Sequence, residues 1–270
     1  MDGITNKKIL VTGSTGFVGS ALSARLAGGG AEVYCLARRT SNLSRLEGLR
    51  VRIIRGDLSD PAGISKIAGR LDAVFHSAAL KSGYAMREFY ETNYLGTRRL
   101  LDILARKSKR LERFVHISSL AVMGPNPGAE PLTESGACSP VTMYGRSKLK
   151  GEETVKDFSG RVPWTILRPP VVYGPGDKDL LPLFQGVKWR VKPVITGGKR
   201  TVSMCFVDDL VSACIAAVST RKTLNRTYFV GDKRGYTWSE ITSAIEKALA
   251  GVTGVSAARV GTDVGEGRGV

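Results

Sequence analysis

Tyr144 and Lys148 stand four residues apart in Tyr144-Gly145-Arg146-Ser147-Lys148. On a helix that spacing puts both on one face, with Cβ atoms about 5–6 Å apart. A phenol with an ordinary pKa near 10 is a poor base at neutral pH, but a neighbouring ammonium favours the phenolate and lowers that value. Such a pair can exchange a proton with a substrate alcohol or carbonyl. Tyr-x-x-x-Lys alone is commonly no more than an exposed helix face, so its surroundings decide. Ser118 and Ser119 close an apolar run from Arg113 that precedes the Tyr helix. Open α/β sheets bind their ligands at that end of a strand.

A second constellation is Thr12-Gly13-Ser14-Thr15-Gly16-Phe17-Val18-Gly19, which follows an apolar run ending at Val11 or Thr12 and opens a helix running to about Ala27. A glycine-rich strand-to-helix turn lets backbone approach a pyrophosphate and aims the helix N-terminus at it. Gly13, Thr15, Gly16, Phe17, Val18 and Gly19 are therefore candidate dinucleotide contacts. The spacing is G-x-x-G-x-x-G and fits the commoner G-x-G-x-x-G fingerprint only approximately. No Gly-Lys-Ser/Thr closes the turn, which excludes an ATP- or GTP-type phosphate loop.

An acid about 20 residues on would bind the 2′-hydroxyl of NAD(H). Here the second strand ends Leu36-Ala37-Arg38-Arg39-Thr40-Ser41, with no acid before Glu47. A guanidinium suits a 2′-phosphate. Arg38 is the candidate, and NADP(H) is expected in preference to NAD(H), which stays open. Asp57, at the end of the third strand, is placed to meet the adenine edge.

These residues need a scaffold. Apolar runs at Lys8–Thr12, Glu32–Ala37, Val51–Arg55, Asp72–Ala78, Arg113–Ser118 and Pro163–Arg168 alternate with helix-compatible segments. Most of them lack polar alternation, as parallel strands covered on both faces do. The prediction is an α/β fold with a doubly wound parallel sheet. A long helix is predicted over Ala85–Ser108 and another from Met143. The stretch from Leu120 to Val141, broken by Pro and Gly, reads as a functional loop. Beyond Pro169 come a strand near Thr201–Val207, a helix Asp208–Ser219, a strand near Thr227–Val230, and a helix capped by Thr237-Trp238-Ser239-Glu240. The division expected is a core over 1–170, a small C-terminal substrate lobe over 171–250 interleaved with it, and a Gly-rich tail over 251–270, too poor in apolar residues to order.

Taken together, Thr12 to Gly19, Asp57-Leu58, Ser77-Ala78-Ala79, Asn93 in Thr92-Asn93-Tyr94-Leu95-Gly96-Thr97, Ser118-Ser119, Tyr144-x-x-x-Lys148, Arg168-Pro169 and Val207-Asp208-Asp209-Leu210 resemble the extended short-chain dehydrogenase/reductase family. That family includes nucleotide-sugar epimerases and dehydratases, hydroxysteroid dehydrogenases and dihydroflavonol-type reductases, and the resemblance runs over roughly residues 8 to 250. It implies a Rossmann-type core with Tyr144 as general acid/base, Lys148 holding the nicotinamide ribose, and Ser119 hydrogen-bonding the reacting oxygen. Asn93 would kink the long helix and support the Lys148 side. Leu58, Ala78, Ala79, Lys81, Ser118, Pro170 and Val171 join the implied cofactor contacts.

The activity expected is hydride transfer between a nicotinamide and a secondary alcohol or ketone. The alternatives are a nucleotide-sugar epimerase or dehydratase that retains its cofactor, and a non-catalytic dinucleotide-binding scaffold. Sugar-nucleotide members often carry an Arg seven residues before the position of Asp209; here Val202 stands there, and Arg200 is the substitute considered. Family members also usually continue with folded substrate-lobe helices where this chain has its Gly-rich residues. The resemblance leaves a homodimer open, because the helices near 85–108 and 143–158 form a dimer face in many relatives.

Composition narrows the rest. The formal charge of +16 would suit a polyanion, but the basic residues are dispersed in short pairs such as Arg38-Arg39, so a small-molecule substrate and no nucleic acid are expected. No N-terminal secretory segment and no apolar run near 20 residues is present, so the expectation is a cytoplasmic protein without a membrane span. Four cysteines without a C-x-x-C pair read as free thiols, and no metal is expected. His76 and His116 lie inside apolar runs and read as packed residues, which argues against a His-based hydrolase.

Overall fold

The computed structural model describes residues 3–60, 62–126, 128, 130–190 and 201–253. Elements run β1 (Lys8–Thr12), α1 (Phe17–Gly28), β2 (Glu32–Ala37), β3 (Val51–Arg55), α2 (Ala62–Ser65), β4 (Ala73–His76), α3 (Met86–Tyr90), a π-helical turn (Glu91–Leu95), α4 (Gly96–Lys107), β5 (Arg113–Ile117) and α5 (Met143–Asp157). They continue with β6 (Trp164–Arg168), β7 (Val171–Tyr173), α6 (Leu181–Lys188), β8 (Thr201–Phe206), α7 (Val207–Ser219), β9 (Arg226–Phe229), β10 (Gly235–Thr237) and α8 (Trp238–Thr253).

The main sheet has the order β3-β2-β1-β4-β5-β6-β9, and each neighbouring pair in it is parallel. Successive strand side chains point to opposite faces. Ile9 and Val11 therefore enter one core with Phe75, Val115, Leu22 and Leu210, while Leu10 enters the other with Val74, Phe114, Leu100 and Val155. Helix α1 packs with α7. Helices α4 and α5 cover the opposite core. Two buried faces are why the strands read as continuous apolar runs.

Two compact units emerge. One comprises Met1–Asp177 with Ser203–Arg234, the other Lys178–Val202 with Gly235–Val270. Part of the lobe expected over 171–250 thus belongs to the first unit, because β9 adds the seventh strand and α7 packs on α1. In the second unit α6 packs on α8. The helix start at Thr237 is a reciprocal capping box: Thr237 Oγ1 accepts from Glu240 N at 3.2 Å, and Thr237 N donates to Glu240 Oε2 at 2.7 Å. Of the tail expected over 251–270 to be too poor in apolar residues to order, residues 251–253 instead close α8, while 254–270 and the Arg200 position lie outside the described residues.

The helix predicted over 85–108 is interrupted. Residues Glu91–Leu95 form a π-helical turn with buried Asn93 at its centre. Such turns insert an extra residue per helical turn and gather at functional sites. The loop after Ser119 starts with a short 3₁₀ turn, Leu120–Val122, where only irregular chain was expected.

Candidate functional site

The C-terminal ends of β1, β4 and β5 carry the polar residues that the site is built from. Gly13 has φ +68°, and a Cβ there would come 2.6 Å from Ala78 N. A Cβ on Gly19 would overlap the Gly13 carbonyl oxygen. The turn is thus packed so closely that only glycine fits at both places. Gly16 N donates to Gly13 O at 3.0 Å, and Gly16 precedes α1 without a side-chain cap or an acid in the first turn. The first amides of a helix have no intrahelical acceptor, and the dipole is positive there, so Phe17 and Val18 begin a helix suited to a diphosphate. Gly19→Ala is expected to displace that turn and weaken dinucleotide affinity by about tenfold or more, about 1.4 kcal/mol. Calorimetric titration with NADH and NADPH checks this, and unchanged affinity for both would reject the turn as the binding element.

Around the turn the structure distributes the other predicted contacts unevenly. Thr15 is half-buried, and Arg38 is exposed just past β2. Ser41 N and Arg55 Nη1 both donate to Arg38 O, at 3.1 and 3.0 Å. Asp57 Oδ1 accepts from Ser59 N at 2.9 Å and Ser59 Oγ at 3.0 Å. Leu58 is buried in the core, where a Cβ on Gly96 would approach its side chain to 3.0 Å. Ala78, Ala79 and Pro170 are half-buried, while Lys81 and Val171 are exposed.

Asn93 ties the segment after β4 to the Tyr helix. Its Oδ1 accepts from Leu80 N at 2.7 Å, and its Nδ2 donates to Leu80 O and to Ser147 Oγ, each at 2.9 Å. Ser147 in turn donates to Tyr144 O at 2.7 Å. A Cβ on Gly151 would come 2.7 Å from Asn93 O, so α5 lies directly against the π-helical turn.

Lys148 reaches inward from the same helix, is almost fully buried, and donates from Nζ to Ile117 O at 2.8 Å. His116 Nε2 lies 3.5 Å from the same Nζ. Burial disfavours the ammonium and pushes the Lys148 pKa down to about 8, with the Glu152 carboxylate acting in the opposite direction. Tyr144 is half-buried one turn earlier, behind an N-cap in which Thr142 Oγ1 accepts from Gly145 N at 3.0 Å. Ser119 is half-buried and accepts from Ala121 N at 3.2 Å, while its neighbour Ser118 is buried and donates to Glu152 Oε1 at 2.6 Å. Lys148 thus reaches the β5 end at Ile117, two residues before Ser119, with Tyr144 one turn earlier on the same helix. Ser118 Oγ is spent on Glu152.

Three features escape a reading of the sequence. The first is a chain of hydrogen bonds under the turn. Thr12 Oγ1 accepts from Ala78 N at 3.2 Å and meets His76 Nδ1 at 2.7 Å; His76 Nε2 meets Thr97 Oγ1 at 2.9 Å, and Thr97 donates to Asn93 O at 2.8 Å. The second is Arg45, which donates from Nη2 to Gly176 O and so links the segment after β2 to the loop after β7. The third is the buried pair Glu152–Arg168. Glu152 does carry a local signal, since Tyr144, Lys148 and Glu152 recur at four-residue intervals on one helix face.

Among the described residues no group of three or more His, Cys, Asp or Glu is arranged to hold a metal, and no helix is long and apolar enough to cross a membrane. Cys35, Cys205 and Cys214 are buried free thiols, and Cys138 is a half-buried one.

Comparison with known proteins places this geometry. The model of the NAD dependent epimerase/dehydratase family matches residues 9–231. The chain is 30% identical over 235 residues to a ceramide reductase of Caulobacter vibrioides, covering 86% of this chain and 68% of that protein. It is 29% identical to UDP-glucose 4-epimerase 4 of Oryza sativa subsp. japonica, covering 90% and 77% respectively. Across the curated relatives quoted and others it matches, the chain spans from 52% to 77% of their length. Among solved structures, UDP-glucuronic acid 4-epimerase from Bacillus cereus in complex with NAD superposes with a TM-score of 0.78 at 29% identity, covering 92% of this chain and 85% of that one.

Proposed function

Because the chain belongs to the NAD-dependent epimerase/dehydratase family, whose members include epimerases, reductases and dehydrogenases of the extended short-chain type, we propose that it oxidises or reduces a secondary alcohol or ketone with Tyr144 as the acid/base. The relatives named above are enzymes, so the scaffold reading is set aside. The observation that supports the catalytic reading best is the Lys148 ammonium held on the Ile117 carbonyl, beside Ser118-Ser119 and one helical turn from Tyr144.

A nicotinamide, when bound, supplies or accepts the hydride. The chain's own residues handle binding and the proton. The glycine turn with Thr15, Phe17 and Val18 would take the diphosphate, and Asp57, Ala78, Ala79, Lys81, Pro170 and Val171 would border the cofactor. Lys148 would hold the ribose and, as a cation, lower the Tyr144 pKa. Ser119 would orient the reacting oxygen, and Asn93 keeps α5 in place through Ser147. Ser118 Oγ is held by Glu152, so Ser118 would meet the cofactor through its backbone at this strand end.

NADPH-linked turnover of a ketone, screened with both reduced cofactors, tests the reading. The second reading, a nucleotide-sugar epimerase with retained cofactor, draws on the similarity to UDP-glucose 4-epimerase 4. It predicts product without net cofactor consumption. Val202, which has no charge to grip a diphosphate, weighs for the oxidoreductase.

For the cofactor, Arg38 and the lack of an acid before Glu47 favour NADP(H). Arg38→Ala is expected to weaken NADPH by roughly 1.5–3 kcal/mol, the worth of a hydrogen bond to a charged group, and to leave NADH nearly unaffected. Equal losses for the two would remove the 2′-phosphate argument.

A further inference from the structure

Glu152 and Arg168 are both almost fully buried and paired through three contacts: Arg168 Nη2 donates to Glu152 Oε2 at 2.7 Å, and Arg168 Nε to Oε1 at 2.9 Å and to Oε2 at 3.2 Å. Removing two charges from water is costly, and an apolar pair of similar volume often serves the fold equally well. The pair's other contacts indicate what it does. Ser118 Oγ donates to Glu152 Oε1 at 2.6 Å, so the carboxylate seizes the residue beside Ser119. Lys148, one turn earlier on the same helix face, takes the preceding residue through Ile117 O at 2.8 Å. Two consecutive residues of the strand end are thereby locked to α5, and the next is Ser119.

The other side of the guanidinium faces the segment after Ser119. Arg168 Nη1 donates to Met123 Sδ at 3.1 Å and to Glu134 O at 3.4 Å, and Nη2 to Cys138 Sγ at 3.3 Å. Glu134 Oε1 accepts in turn from Phe229 N at 3.0 Å. One buried cation therefore anchors three points along a loop whose only helical element, among the described residues, is a short 3₁₀ turn.

We infer that Glu152 and Arg168 are positioning residues, forming a clamp that sets the register of Ser119 against Tyr144 and pins the 120–141 loop beside the reacting position. The inference rests on the catalytic reading above for its effect on turnover, while its effect on the loop stands apart from that reading. A fixed strand end matters because a misplacement near 1 Å at a reacting group can cost about a hundredfold in rate.

The test compares the full-length chain with the double variant Glu152→Leu/Arg168→Met. Melting temperature and cofactor affinity are expected to stay close to wild type. Amide hydrogen exchange within 120–141 is expected to accelerate, and kcat to fall roughly tenfold to a hundredfold. If the double variant does not fold, Glu152→Gln carries the test, with faster loop exchange and lower kcat at unchanged cofactor affinity. A folded variant with wild-type loop exchange and wild-type kcat overturns the clamp. If Tyr144→Phe costs no turnover, the catalytic reading fails, and loop exchange still decides whether the pair pins the loop.

Discussion

Tyr144→Phe is expected to lower kcat by roughly 10²–10⁴-fold, the usual contribution of a positioned acid/base, with dinucleotide affinity changed little. The substitution removes one hydroxyl and leaves the helix cap at Thr142, the Asn93–Ser147 bond and the Lys148 contact to Ile117 O untouched. In the proposed reaction what is lost is the group whose proton moves as hydride moves. Ser119 would remain to orient the reacting oxygen, but a serine hydroxyl is a far weaker acid than a phenol next to an ammonium. Burial holds the Lys148 pKa near 8. The ammonium proposed to assist Tyr144 is thus present at neutral pH and lost as the pH rises above that value. Steady-state rates with a substrate found by screening decide the matter. Turnover above about one tenth of wild type in the Phe variant contradicts the assigned role.

The fold was legible because its signal is local. A strand covered on both faces reads as an apolar run, and β1, β2, β3, β5 and β6 all fall within a residue or two of their predicted limits. The glycine turn was legible for a similar reason: a strand, a positive φ and a helix start follow one another in eight residues. Leu58 shows where local reading stops. It sits beside Asp57 in the sequence, yet its side chain turns inward to pack under Gly96, a distance in sequence that no periodicity spans.

The site behaves in the same way. The spacing of Tyr144 and Lys148 puts both on one helix, which alone does not distinguish them from an exposed helix face. The partners that fix them, Asn93 on Ser147 and His116 beside Lys148, come from other elements and become visible only once the sheet brings β4, β5 and α5 together. The π-helical turn at Asn93 is a further case. An apolar face made by Phe89, Leu100, Leu101 and Leu104 looks like one helix, because an inserted residue shifts the phase without removing the pattern. The same limit applied to the lobe. Sequence order placed Thr227–Val230 after the core, whereas parallel pairing of β9 with β6 makes it the last strand of that core.

Acid should unfold this protein well before its carboxylates alone would require. His76 and His116 are fully buried in neighbouring strands, with ring centroids 5.3 Å apart. Desolvation, reinforced by the Lys148 ammonium, pushes the His76 pKa down to about 3 and that of His116 well below its ordinary 6.5. In the unfolded chain both titrate near 6.5. Between about pH 6.5 and 3 the unfolded state therefore binds more protons, and stability rises with pH across that window. The contribution is complete above 6.5 and is lost as the pH falls. At pH 5 the His76 ring alone costs about 2 kcal/mol, and His116 adds to the loss in the same direction. Against a total of about 5–15 kcal/mol for a folded domain, that is a large share. Urea titrations at pH 7.5 and pH 5 measure the loss. His116→Phe, which keeps a ring of similar size but cannot take up a proton, should reduce the loss and leave the His76 share of it. Equal stability of the wild type at the two pH values would mean that both rings take up protons inside the fold, and the neutral Thr12–His76–Thr97 chain would then be misassigned.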